Sequence, residues 1–154
     1  MREVEFQLEN AQTAAIALGH RPVVVRASDD GTLNAAFVEI GQIRAGALLV
    51  AASPFFMTRA KELVEQAARL ALPAMYWRRE VVEAGGLMMY GSDTFEMYHQ
   101  TGVYVGRILK GENPGDLPVW QPTKFDFVLN LRTAKVLGLK IPEKMLALAD
   151  EVIE

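Results

Sequence analysis

The sequence predicts an α/β fold, a parallel β-sheet flanked by helices. Three observations predict it. Short apolar or β-branched runs alternate with stretches of helical periodicity up to residue 77. The connections between them are short. The run Ala47 to Ala52 (ALLVAA) is continuously apolar, as a strand buried on both faces of a parallel sheet must be. Such alternation calls for right-handed crossovers, with helices on both sides of the sheet.

Taken in order, residues 3–18 form a predicted helix. Val4, Leu8, Ala11, Ala15 and Leu18 recur at helical spacing, and Gly19 is its stop. Pro22 to Ala27 (PVVVRA) is a predicted strand. Ser28-Asp29-Asp30-Gly31 is a turn able to cap a helix over 32–44, whose inner face is Leu33, Ala36, Phe37 and Ile40. After the strand at 47–52, Ser53-Pro54 opens a third helix, with proline in the first turn where its missing N–H costs nothing. Ala60, Leu63, Val64, Ala67, Ala68 and Ala71 form its inner face, and Pro73 to Trp77 is the next strand.

The pattern then changes. A short helix over 78–84 leads through Gly85-Gly86 into a strand at 87–90. Ser92-Asp93 caps a long helix reaching about Lys110, with Phe95, Tyr98, Val105 and Leu109 along one face. Residues 111–122, with three prolines and two glycines, read as a linker. A half-buried strand follows at 125–131, with Phe125, Phe127 and Leu129 on one face. A short helix at 133–137 ends at Gly138, and a last helix runs from Pro142 through Ile153. An α/β sheet normally begins with a strand. Here the first element is a helix, which points to a fragment or to a strand supplied by another chain.

Composition removes several function classes. The 154 residues are 51% hydrophobic and 23% charged, with a net charge of −3 and no cysteine. Disulfides, thiol chemistry and cysteine metal sites are excluded. No basic stripe is present that would neutralise several phosphates, so nucleic acid is not an expected partner. No run of apolar residues is long enough to span a membrane. The N-terminal stretch MREVEFQLENAQ is polar and acidic, unlike a secretory signal, so a polypeptide truly starting at Met1 is expected to stay in the cytoplasm.

Motifs remove more. Neither GxGxxG nor GxxxxGK[ST] occurs. Gly85-Gly86 follows a helix and precedes a strand, the reverse of the order a phosphate cradle needs. His20 and His99 lie on different elements, with no acidic cluster at ligand spacing, so no metal is expected. Ser53 follows a strand, but AASPF lacks the flanking glycines of a nucleophile elbow, and Pro54 has no N–H to offer an oxyanion. Capping is the expected role of Ser53. No catalytic constellation emerges, and neither an enzyme nor a cofactor is expected. The aromatic residues are more informative. Phe55 and Phe56 follow the end of one strand, Tyr76 and Trp77 end the next, and Tyr90 follows the glycine pair. In open α/β sheets ligands bind beyond the carboxyl ends of the strands.

Residues 73–154 carry a series of motifs in register. They run Pro73-Ala74-Met75-Tyr76, then EVVEAGGLMMYG at 80–91, ILKG at 108–111, PGDLPV at 114–119 and QPTKF at 121–125. VLNL at 128–131, Thr133-Ala134-Lys135, Leu137-Gly138-Leu139 and Ile141-Pro142 follow. In order and spacing this resembles the ABC transporter substrate-binding proteins of the tryptophan/tyrosine-binding-like group, which are type I periplasmic binding proteins. Residues 1–72 fit the same pattern more weakly.

The resemblance implies two Rossmann-like lobes joined by three crossings, with the solute in the cleft between them. By it, residues 1–77 are an α/β unit of the carboxyl-terminal lobe. Residues 78–120 cross into part of the amino-terminal lobe, and 121–154 return and end in helices. It implies capture of a small solute, aromatic or amino-acid-like, for an ABC permease, and a periplasmic location. The site residues it suggests are Ser53, Phe55, Phe56, Trp77, Glu83 and Tyr90, with backbone groups of Gly85 and Gly86. Relatives often carry an acidic residue where this chain has Ser53, which keeps a hydrogen bond but loses a charge pairing. Trp77 stands where proline is common and adds bulk near the cleft. A cleft with one lobe cannot close, so a homodimer, built in one version by exchanged segments, is expected. The alternative is a dimeric interaction or regulatory module with no transport role.

Overall fold

The computed structural model describes residues 2–154, with side chains from residue 5, so the predicted inward position of Val4 lies outside the described side chains. The architecture is the predicted one, α/β, with a five-stranded and mostly parallel sheet. Its strands are β1 (Leu48–Leu49), β2 (Ala74–Tyr76), β3 (Met88–Ser92), β4 (Phe125–Asn130) and β5 (Glu151–Ile153), hydrogen-bonded in that order. β1, β2 and β3 run parallel. β4 is antiparallel to β3, and β5 is parallel to β4. Among the described residues no helix is long and apolar enough to cross a membrane.

The helices follow their predicted signals with local corrections. α1 (Arg2–Ala17) ends where Gly19 takes φ +79°, the left-handed conformation glycine adopts without strain. α2 (Asp30–Gln42) starts in a capping box. The Asp29 carboxylate accepts from the Thr32 amide at 2.8 Å, and the Thr32 hydroxyl accepts from the Asp29 amide at 3.0 Å. Leu33, Ala36, Phe37 and Ile40 are buried as the periodicity predicts. The third predicted helix is two, α3 (Pro54–Thr58) and α4 (Ala60–Arg69), because Arg59 leaves helical geometry at φ −116°. Leu63 and Ala67 are buried, while Ala68 and Ala71 are exposed. α5 (Arg79–Glu83) joins β2 to β3, and Asp93 caps α6 (Thr94–Leu109) by accepting from the amides of Phe95 and Glu96. A single 3-10 turn at Pro114–Asp116 lies in the predicted linker. α7 (Leu131–Val136) and α8 (Glu143–Leu148) complete the chain's helices.

Three predicted strands need correction. Residues 22–27 join no ladder. Val25 and Ala27 pack against the core, but Val23 is exposed, and Pro22 has no N–H to offer a neighbour. β-branched residues favour an extended backbone, yet a strand exists only where its backbone finds a partner. With β2 on one side and no strand on the other, β1 is an edge strand of two residues, not a strand buried on both faces, and Leu49 is 59% exposed. The predicted last helix stops at Leu148. Asp150 turns the chain there, its carboxylate accepting from the Phe127 amide at 2.8 Å while its own amide donates to the Phe127 carbonyl at 2.9 Å. This clamp sets residues 151–153 beside β4 as a strand. β4 is also not uniformly half-buried: Val128, Leu129 and Asn130 are all buried.

The core lies between β1, β2, α2 and α4, through Leu33, Phe37, Val50, Leu63, Leu72 and Tyr76. A second cluster of Val82, Met89 and Val128 ties α5 to β3 and β4. Arg79 links α5 to the far edge of the sheet, paired with Glu151 of β5 and with Glu83 at 2.7 Å. Its guanidinium is held above its ordinary pKa by those hydrogen bonds, that to Glu151 first. Two helices are covered by none of this. No residue described in α1 is buried and none in α6 is, and Phe95, Tyr98 and Leu109 of the predicted apolar face of α6 are between 71% and 82% exposed. A residue at helical apolar spacing is a candidate for burial, not a proof of it.

Candidate functional site

The three parallel strands send their carboxyl ends to one edge of the sheet, at Val50 to Ser53, Trp77 to Arg78 and Ser92 to Asp93. The antiparallel β4 brings its amino end, Lys124 and Phe125, to the same edge. The predicted aromatic residues sort by this edge. Phe55 and Phe56 sit on α3, directly after β1, with ring centroids 5.6 Å apart. Phe56 stands 6.5 Å from Trp77, tilted by 52°. These spacings suit a tilted aromatic ladder. All three rings are half-buried and pack against the core on one side. Ser53 is at the N-cap position of α3 but makes no side-chain cap bond, which corrects its expected role.

The remaining predicted residues lie apart from this ladder. Tyr90, in the middle of β3, is 52% exposed and stacks on Phe125, centroids 5.6 Å apart and planes 9° apart. Glu83, Gly85 and Gly86 precede β3 and so lie at the opposite, amino end of the strands. Glu83 is exposed and paired with Arg79. The Gly85 amide donates to Val82 O at 3.0 Å, the Gly86 amide to Val81 O at 2.9 Å, and the Gly85 carbonyl accepts from the Thr133 hydroxyl at 2.9 Å. A Cβ on Gly86 would meet the Tyr76 ring and the Val81 carbonyl oxygen, each at 2.8 Å. Those backbone groups serve the fold. The cavity beside them, of about 30 Å³ and lined by residues such as Tyr76, Leu87 and Thr133, has room for a water and not for a solute. Burial there pushes the Tyr76 phenol up to about 12.

The structure adds polar residues that sequence reasoning missed. Arg78, directly after Trp77, donates from Nη1 to the Thr94 hydroxyl at 3.0 Å, joining the end of β2 to the start of α6. Lys124 pairs with Asp93 at 2.7 Å. That bond, followed by the amides of Glu96 and Phe95, holds the Asp93 carboxyl below its ordinary value. Among the described residues, Arg78 Nε and Glu96 Oε2 are buried side-chain atoms with no hydrogen-bond partner. A signal for Arg78 was present in the sequence, since the rule that singled out Trp77, the carboxyl end of a strand, covers its neighbour too. Gly91 belongs to the same edge: a Cβ there would lie 2.6 Å from the Trp77 carbonyl oxygen, so only glycine lets β3 run this close to the end of β2. Among the described residues no group of three or more His, Cys, Asp or Glu side chains is placed to hold a metal ion.

Comparison with known proteins gives relatives in fold and a family. The chain is similar to a conserved domain protein from Vibrio cholerae, at 25% identity and a TM-score of 0.86 over 95% of this chain and 49% of that one. It is also similar in fold to an ABC domain from Streptococcus pneumoniae solved in complex with L-Trp, at 23% identity and a TM-score of 0.88 over 97% and 51% of the two chains. A third similar fold is the ligand-free, open form of a substrate binding protein with adhesive properties from Clostridium difficile, at 19% identity and a TM-score of 0.65 over 98% and 50%. The chain thus spans about half the length of the structures it matches. No curated protein matches it. The model of one family, described as ABC transporter substrate binding protein, matches residues 43–153. Because that match takes in every strand of the sheet and most of the chain, the chain belongs to the family of ABC transporter substrate binding proteins.

Proposed function

We propose that the chain captures a small aromatic or amino-acid-like solute for an ABC importer, at the carboxyl edge of β1, β2 and β3. The observation that carries this reading is the ladder of Phe55, Phe56 and Trp77 at that edge, half-buried and tilted, with faces suited to a flat ring. The family is one of binding proteins, not an enzyme class. Its partners on this reading are a solute and a permease, and its place is outside the cytoplasmic membrane. Residues 78–120 and the exposed faces of α1 and α6 are where a second lobe would meet this one, so the solute lies between lobes and closure buries it. Ser53 offers an uncharged hydrogen bond at the end of β1.

The test is a thermal-shift screen of indole, aromatic and branched amino acids and small aromatic acids. A bound solute at a hundredfold excess over its Kd adds about 2.7 kcal/mol of stability, and Phe56→Ala should remove that shift while leaving the unliganded melt cooperative. No shift with any solute refutes the reading.

A second reading, an interaction module that pairs with another copy of itself, draws on the exposure of Phe95, Tyr98 and Leu109. Sedimentation separates the two. A dimer that Phe95→Asp with Tyr98→Asp dissociates supports self-pairing, and a monomer at all concentrations removes it.

A further inference from the structure

We infer that Arg78 is the group that recognises a carboxylate in the cleft, so the solute is an aromatic carboxylate anion and not its neutral counterpart. This rests on the cleft reading above and narrows it to a chemical class.

The argument starts from unmet hydrogen bonds. A guanidinium carries five donors in a rigid fork and no acceptor. Arg78 spends Nη1 on Thr94 at 3.0 Å, while its Nε is buried with no partner. A buried donor left unpaired costs roughly 1–3 kcal/mol, more for a charged group, so the arrangement persists where something else completes it. The Glu80 carboxylate does not. It stands 3.7 Å from Nε, beyond hydrogen-bond length, and its side chain is 62% exposed, so water screens it.

The alternatives at the same edge are already occupied. The first free amides of α6, which would otherwise attract an anion, donate to the Asp93 carboxylate at 2.8 and 3.2 Å. Lys124 is held by Asp93 at 2.7 Å, with Asp126 at 3.7 Å. Among the described residues, Arg78 is therefore the cation of this edge with a donor to spare. A carboxylate accepts the fork in two parallel bonds, a geometry a point charge cannot supply. Thr94 holds the guanidinium through Nη1, which leaves Nε and Nη2 for the carboxylate. Trp77, one residue earlier, and Phe56 next to it provide the apolar surface for the ring that carries the carboxylate. Glu96 Oε2, the other unpartnered buried atom, lies on the first turn of α6 and is an acceptor, so it calls for a donor and takes no part in holding the anion.

The test uses the protein as expressed from its own gene, titrated calorimetrically with benzoate and phenylacetate and with the matching neutral amides. The wild type should bind each acid at least about tenfold more tightly than its amide, the scale of one hydrogen bond to a charged group. Arg78→Gln should erase that preference, the acids losing at least about tenfold more affinity than the amides, and Arg78→Lys should restore part of it. If Arg78→Gln fails to fold, the wild-type preference and its weakening in Thr94→Val decide. Equal binding of acids and amides overturns the assignment. So does a preference that survives Arg78→Gln. If acids and amides bind equally and Phe56→Ala abolishes both, the cleft reading stands and only Arg78's role falls. If no member of either set binds, both fall.

Discussion

Replacing Gly91 by alanine tests whether the site edge is built as described. The backbone of Gly91 is not in the left-handed region, so alanine meets no conformational penalty there, and in a strand it would ordinarily help by about 0.5–1 kcal/mol. Sterics oppose it. The new Cβ would lie 2.6 Å from the Trp77 carbonyl oxygen, a backbone atom with no rotamer to escape into. β2 and β3 must move apart or the strand end must twist, and overpacking of this kind costs about 1–3 kcal/mol. For a chain of this size that is a fall in Tm of roughly 2–4 °C per kcal/mol. Gly102 is the control. It lies inside α6 with nothing within 4 Å of an added Cβ, so the same substitution should stabilise by roughly 0.5–1 kcal/mol. Urea denaturation of the two variants reads both signs. Gly91→Ala matching the wild type in midpoint would refute the close approach, and with it the packing that presents Trp77 and Arg78 together. Because the displaced atom belongs to Trp77, solute binding should weaken along with stability.

Leu129 is fully buried in β4, between β3 and β5, so Leu129→Ala should cost about 2–5 kcal/mol in urea denaturation, and a loss below 1 kcal/mol would contradict the burial. The Asp93 carboxyl titrates below its ordinary 3.8, chiefly because Lys124 and two helix amides bond its charged form. Its contribution is thus present above that value and lost as pH falls through the lower folded-state pKa. Asp93→Asn keeps the cap and loses the charge, so its stability should fall less than the wild type's below about pH 4, as read by melts across pH 2–6. Identical acid profiles would refute the pairing.

Where local physics decided the structure, the sequence was legible. Asp29 caps α2 from the Ser-Asp-Asp-Gly turn expected to cap it, and Gly19 and Gly138 end helices in the left-handed conformation. The failures share a cause. PVVVRA has the composition of a strand, but a ladder needs a second backbone, and residues 22–27 pair with none. Residues 151–153 fall within the predicted last helix yet pair with β4, because Asp150 bonds both backbone polar groups of Phe127, a residue 23 positions earlier. Phe95, Tyr98 and Leu109 keep a helical apolar period while exposed. Periodicity records what a face can bury, and the partner that buries it is a separate fact.

The site was half legible for a related reason. The order strand, turn, aromatic pair is local, so Phe55, Phe56 and Trp77 could be placed at one edge before any fold was known. Gly85 and Gly86 are expected to lend backbone hydrogen bonds to a solute, but their amides bond within the fold. What comes close is the Tyr76 ring, the Val81 carbonyl and the Thr133 hydroxyl, at the other end of β3. The glycine that brings backbones together at the site edge is Gly91, six residues after Gly85, or about 20 Å along a fully extended chain. A glycine pair in a sequence marks a close approach without its direction. Direction follows from strand polarity, and polarity is also what separates Arg78, at the carboxyl end of β2 with an unpaired Nε, from Glu83, whose charge Arg79 already meets.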